Sequence, residues 1–186
     1  MAGWVLTRIP ADDIMHPVAE KYMSMEEMDM VHSERGISVY QMIKKHLDEK
    51  DFHYEADDDR LVLKLIVHGE DLPQPTFIEV DDDRELMSVL SPIPSRIPEE
   101  RRVDAAVAVS VANYGMITGG FDLDMSDGEI RFRVSQTFRG MEMSDEAIGY
   151  TLAITFITTD KYNDKFFMLG KGLMSLEQFI EQENAD

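Results

Sequence analysis

The 186-residue chain contains no cysteine. Disulfides, thiolate nucleophiles, iron–sulfur ligation and cysteine-based zinc sites are excluded by that one absence. Basic residues are scarce: 18 Lys plus Arg face 37 Asp plus Glu, a formal charge of −19. A surface this acidic repels nucleic acid and anionic membrane, and attracts basic segments of protein partners. A long hydrophobic run is missing too. The longest uncharged stretch, 105–121, is 17 residues and is interrupted by Asn113, Gly115, Gly119 and Gly120, whereas a membrane span needs about 20 predominantly apolar residues. The start, MAGWVLTRIPADD, lacks a basic leader followed by an apolar core. The expectation is a soluble, cytoplasmic protein with no membrane partner.

Motifs of catalysis are equally thin. The five histidines, His16, His32, His46, His53 and His68, show no HExxH or other close ligand spacing. No GxSxG elbow and no GxxxxGK[ST] loop occurs; MLGKGLMS offers a GK pair without the upstream glycine. Gly119-Gly120 follows no strand-to-helix turn and is not a dinucleotide fingerprint. Paired carboxylates abound, but in so acidic a chain any chosen pair is uninformative. The reading therefore assigns no catalytic residue, no cofactor and no metal ligand. An acidic small-ligand or divalent-metal sensor is the alternative, and an unrecognised hydrolase stands behind it.

What the chain does have is a packed-domain composition, 44% apolar with nine Phe and six Tyr, and length enough for one sizeable core. Residues 1–33 read as a Met- and acid-rich arm, without strand alternation and with only a blurred helical stripe; residues 34–186 read as a single domain. A helix is expected over 39–50, with Ser38 and Gln41 as a capping box, Ile37 stapled onto Met42, and Val39, Met42, Ile43 and Leu47 as its apolar stripe. FHYEADDDRLVLKLIV and FIEVDDDRELMSVL each read as strand, DDDR turn, strand. Their acid triplets, 57–59 and 81–83, are expected to be solvated turns that also discourage edge-to-edge pairing.

Pro98 followed by Glu99 and Glu100 starts a helix expected to run from 98 to about 115. Val103, Val107, Val111 and Tyr114 recur on it at helical spacing, and its middle is apolar nearly all round. Burial on more than one side is expected, by a second helix layer or by a subunit interface. Those four residues are the candidate dimer or partner surface. The last third reads as a hairpin, a helix capped by Ser144 with Ile148, Leu152, Phe156 and Thr159 in its stripe, and a short helix opened by a Ser175/Gln178 capping box. The order is α-ββββ-α-ββ-α-α, an α+β fold with helices against an antiparallel sheet.

The hairpin, GGFDLDMSDGEIRFRVSQ, is the stretch that most looks like chemistry, because Asp122, Asp124, Ser126 and Asp127 are spaced like oxygen ligands in a calcium loop. The loop test fails: counted from Asp122, position 6 is Asp127 instead of glycine and position 12 is Arg133 instead of glutamate. Asp127-Gly128 instead suits a two-residue type I′ turn. That register would set Asp124 opposite Arg131 and Asp122 opposite Arg133; a four-residue turn would oppose Asp124 with Glu129, a like-charge clash.

From SVYQMIKKHLDE through RLVLKLIV, VANYGMITGGFDLDMSDGEIRFRV and KFFMLGKGLMSLEQFIE, over about residues 37–182, the chain resembles the YbjN-domain family, whose fold looks like that of the type III secretion chaperones. The resemblance implies an α+β domain without known catalytic residues. Members are described as sensory-transduction regulators, and the chaperone relatives as small, acidic, usually dimeric binders of other proteins. A non-enzymatic, chaperone-like protein-binding module is the resulting expectation, with homodimerisation through the helix of Val107 and Val111 and a basic or amphipathic protein partner.

Overall fold

Strand alternation and helical stripes combine here into one six-stranded antiparallel sheet with its helices on one face. The computed structural model describes residues 32–185; the Met-rich arm lies outside them except for His32 and Ser33. In chain order the elements are α1 (Glu34–Glu49), β1 (Tyr54–Asp57), β2 (Val62–His68), β3 (Pro73–Asp81), β4 (Leu86–Arg96), a 3-10 turn (Glu99–Arg101), α2 (Arg102–Tyr114), β5 (Gly120–Leu123), β6 (Glu129–Thr137), α3 (Asp145–Lys171) and α4 (Leu176–Ala185). The sheet order is β1-β2-β3-β4-β6-β5. The α+β class and the order of helices and strands stand as read from the sequence.

The core has two halves. Leu63, Leu65, Ile78, Val80, Met87 and Val89 pack beneath α1 and the first half of α3. Phe121, Ile130, Phe132 and Val134 pack beneath α2, α4 and the second half of α3, around Phe166, whose ring centroid lies 4.9 Å from Phe121 and 5.4 Å from Phe179. Between them α3 turns Thr151, Thr155, Thr159 and Asn163 inward at four-residue spacing, all essentially fully buried. Thr155 satisfies itself by donating to the Thr151 carbonyl at 2.8 Å, and Thr151 bonds Ala147 O and Gln136 Oε1. The expected stripe of Ile148, Leu152, Phe156 and Thr159 is buried throughout, and Ser144 caps the helix by accepting from Ala147 N. The Ser175/Gln178 box also forms, with Ser175 N to Gln178 Oε1 at 2.9 Å and Gln178 N to Ser175 Oγ at 3.3 Å.

The first helix starts five residues before the expected 39. Its cap is Ser33, which accepts from Gly36 N at 3.0 Å, not Ser38, and Ile37 is largely exposed instead of stapled. The reason is tertiary: Asp82, in the β3–β4 turn, binds both the amide and the hydroxyl of Ser33. The DDDR turns are accordingly more than solvated loops. Asp82 anchors the start of α1, while Asp58 accepts from Tyr40 at 2.9 Å and from Lys44 at 3.1 Å. The Lys44 and Tyr40 hydrogen bonds hold Asp58 below the usual carboxylate range. Burial, and then the same carboxylate, push the Tyr40 phenol up.

Strand β4 continues through Pro92 and Pro94 to Arg96, where the sequence showed only breakers. Its pairing with β6 slips between Pro92 and Arg96, the irregularity that lets prolines sit in a sheet.

Candidate functional site

Helix α2 has two unlike faces. Ala105, Ala108, Val109 and Ala112 face the core. Val103, Val107 and Tyr114, on the other side, are 69%, 41% and 96% exposed, and Val111 is half-buried. The expected burial on more than one side is therefore not met among the described residues: the candidate stripe is an exposed apolar surface. Small side chains inside let the helix approach the sheet closely. Large ones outside are unexplained by this packing, and a contiguous exposed apolar surface is the usual mark of a binding face.

The structure brings Val111 and Tyr114 together with residues that sequence periodicity did not single out for a surface. They line a groove of about 810 Å³ with Met116, Ile157 and Tyr162, and with Ile180 and Glu183 of α4. Val103 and Val107 extend the same helix face beyond the groove. Ile157 is 58% exposed and Ile117 fully so. The available signal for Ile157 was its phase: it follows Phe156 and falls off the buried stripe, an apolar residue with no place in the core. The groove wall is braced by charge. Tyr162 Oη donates to Glu183 Oε2 at 2.6 Å, Lys165 Nζ lies 2.6 Å from Glu183 Oε1, and Lys165 and Lys161 sit over the Tyr162 ring at 5.3 and 5.4 Å.

The end of α2 is tied to the edge strand. Asn113 Nδ2 donates to Phe121 O at 2.9 Å and Asn113 Oδ1 accepts from Phe121 N at 2.8 Å. One side chain thus acts as a further strand for β5. Gly119, at φ +76°, enters that strand where a Cβ would come within 2.6 Å of Phe132 and 2.9 Å of the Arg133 carbonyl. The Asn113 and Gly119-Gly120 elements of the sequence pattern are thereby accounted for as fold, positioning the outer face of α2 beside a sheet edge.

The hairpin register departs from expectation. Gly120 pairs with Arg133, Phe121 with Phe132, Asp122 with Arg131 and Leu123 with Ile130, and Asp124 N donates to Glu129 O at 2.8 Å. This is the four-residue turn that like-charge repulsion seemed to forbid. The repulsion is relieved because neither carboxylate faces the other. Asp124 folds back to accept from Ser126 N at 2.8 Å and Ser126 Oγ at 2.6 Å, while Glu129 is buried against Arg96 Nη1 at 2.8 Å, which also holds Asp127 at 2.8 Å. Two residues of slip preserve strand parity, so the apolar face is unchanged. Asp122 still meets Arg133, at 2.8 Å, and Arg131, at 3.5 Å. Burial pushes the Asp122 carboxyl up, but the Arg133 hydrogen bond and charge outweigh it and hold the group below the usual carboxylate range. The acids of this segment are ligands of their own chain. Among the described residues no group of three or more His, Asp or Glu side chains converges as a metal site would, and no helix is long and apolar enough to cross a membrane.

The comparisons agree with this architecture. No curated protein matches the chain in sequence. Solved structures that share its fold include one chain of the "HopA1-SchA Chaperone-Effector Complex", at 11% identity and TM-score 0.54 over 72% of this chain and 99% of that one, and YbjN, "a putative transcription regulator from E. coli", at 12% identity and TM-score 0.53 over 66% and 87%. A family model described as "Putative bacterial sensory transduction regulator" matches residues 40–168, from α1 to near the end of α3. That match spans more than half of the 186 residues, and the chain belongs to the YbjN family.

Proposed function

We propose that the chain is a non-enzymatic, chaperone-like protein-binding module that works as a homodimer through the outer face of α2. The carrying observation is the exposure of Val103, Val107 and Tyr114 on a helix whose alanine side already satisfies the core. A two-fold axis beside α2 would set the stripe of one copy against the same stripe of the other, the self-complementary arrangement of an isologous dimer. The groove of Tyr114, Ile157 and Ile180 then continues the apolar surface toward a partner segment, suited to an amphipathic helix. The chain's charge of −19 favours a basic partner and disfavours nucleic acid.

The family description and the likeness to a chain of a chaperone–effector complex support this reading of the class. The alternative, a cation or small-ligand sensor using the acidic turns, has less behind it, because Asp58, Asp82, Asp122 and Asp124 are already engaged by side chains or amides of the chain. Light scattering across micromolar concentrations tests the dimer: a mass of two chains is expected, and a single-chain mass throughout would remove the claim.

A further inference from the structure

The layer between α3 and the sheet is apolar in its two halves and polar along the seam between them. Gln74 and Thr76 share the parity of Ile78 on β3, and Ser91 that of Val89 on β4, so all three point toward the helices. Facing them from α3 are Thr151, Thr155, Thr159 and Asn163, and none of the seven is more than 2% exposed. One end of this seam is satisfied. Thr151 and Thr155 bond as described above, Thr76 Oγ1 donates to the Gln74 carbonyl at 3.3 Å and Ser91 Oγ to the Pro75 carbonyl at 3.1 Å. The other end is not. Gln74 Nε2 donates to Asp160 at 3.0 Å and Asn163 Nδ2 to the Leu72 carbonyl at 3.4 Å. Yet Gln74 Oε1, Asn163 Oδ1 and Thr159 Oγ1 are buried without a hydrogen-bond partner among the described residues. A buried polar atom left unpaired carries its full desolvation penalty, which contact with water removes.

We propose that the second half of α3 is a movable wall, which parts from the β2–β3 end of the sheet along this seam more readily than either half of the core opens. Parting admits water to all three unpaired groups at once, whereas opening at Ile148 or Phe156 exposes apolar surface. The clamp across the gap is polar as well. Glu70 N donates to both Asp160 carboxylate oxygens, at 3.1 and 3.2 Å, and water can replace such bonds as they break. The clamp also gathers like charge: burial, and then Asp164, Asp160 and Glu70, push the Asp71 carboxyl up. The aromatic contacts of this half of α3 run to Phe121 on β5 and Phe179 on α4, away from β2 and β3, and are kept when those elements move with it. The same stretch of helix has the groove on its other side, where Ile157, Thr158, Lys161 and Tyr162 line it. A shift along the seam therefore widens or narrows the groove and leaves the first half of the core intact. That consequence rests on the groove's being the partner site, as proposed above; the parting itself does not. A wall backed by groups that water can satisfy adapts to its occupant, where an apolar backing would fix it.

Native-state hydrogen exchange on the full chain, with no partner present, is the test. In the wild type the amides of residues 159–166 are expected to exchange about ten-fold faster than those of 149–156 in the same helix, after correction for intrinsic rates. Thr159→Val removes the unpaired hydroxyl and keeps the side-chain shape. It should slow exchange over 159–166 by about ten-fold and leave 149–156 unchanged. Thr155→Val removes a hydroxyl that has a partner and should slow neither stretch. Equal protection along α3 in the wild type would overturn the proposal, as would a Thr159→Val protein that exchanges like the wild type. A Thr155→Val protein slowed as much over 159–166 would overturn it too, since added apolar surface and not the unpaired group would then set the rate. None of these readings needs a partner, so a groove that binds nothing leaves the movable wall standing.

Discussion

The inner and outer faces of α2 are both apolar, and they differ in size rather than in polarity. Inside are three alanines and Val109; outside are Val103, Val107, Val111 and Tyr114. A folding chain that needed only to bury hydrophobic surface would place the larger side chains inward, since each buried methylene contributes about 0.8 kcal/mol. Here the close approach of helix to sheet selects the small residues, and the large ones face outward. The difference teaches that apolar periodicity in a sequence does not by itself mark the buried face, and that packing decides which side of a helix the core takes.

Variants that load the two sides differently sharpen this contrast. The largest effect is expected below the inner face: Phe166→Ala empties the aromatic cluster on which α2, α3 and α4 converge and should destabilise the fold by about 3–5 kcal/mol in chemical denaturation. Ala108→Leu, which forces volume into the fully buried inner face, should cost about 1–3 kcal/mol; a neutral outcome would mean that the helix can lift from the sheet and that the inner face is not tightly fitted. Asn113→Ala removes both bonds to Phe121 and should cost about 1–2 kcal/mol, with faster amide exchange concentrated in β5. Smallest is the Asp122 pair. Its folded pKa is lowered, so its contribution is full above the unfolded value of about 3.9 and is lost as pH falls through the lower folded value. Partial exposure keeps it to about 0.2–1 kcal/mol. Asp122→Asn should therefore lie below wild type at pH 7 in thermal melts, and the gap should close below about pH 4.

Legibility followed the range of the interactions. The α3 stripe, the Ser144 cap and the Ser175/Gln178 box are local, and the sequence displayed them. The start of α1 did not show, because Ser33 becomes a cap through Asp82, 49 residues away, while Ser38 and Gln41 offered a local capping box. Pro92 and Pro94 hid the end of β4, since the slip that accommodates them belongs to the pairing with β6. The hairpin register was misjudged by treating Asp124 and Glu129 as bare charges; Arg96, from another strand, removes the conflict. The outer α2 residues were visible as a stripe, but their neighbours Ile157 and Ile180 were not, because only the folded chain brings three helices to one groove.

The outer face itself is tested most directly by Val107→Asp, which places a charge at the middle of the stripe without touching the core. The account predicts a melting curve close to wild type, a change within about 0.5 kcal/mol, together with a fall in light-scattering mass from two chains to one. A variant that keeps the two-chain mass at the same concentrations would contradict the account and return the stripe to ordinary solvent-exposed surface.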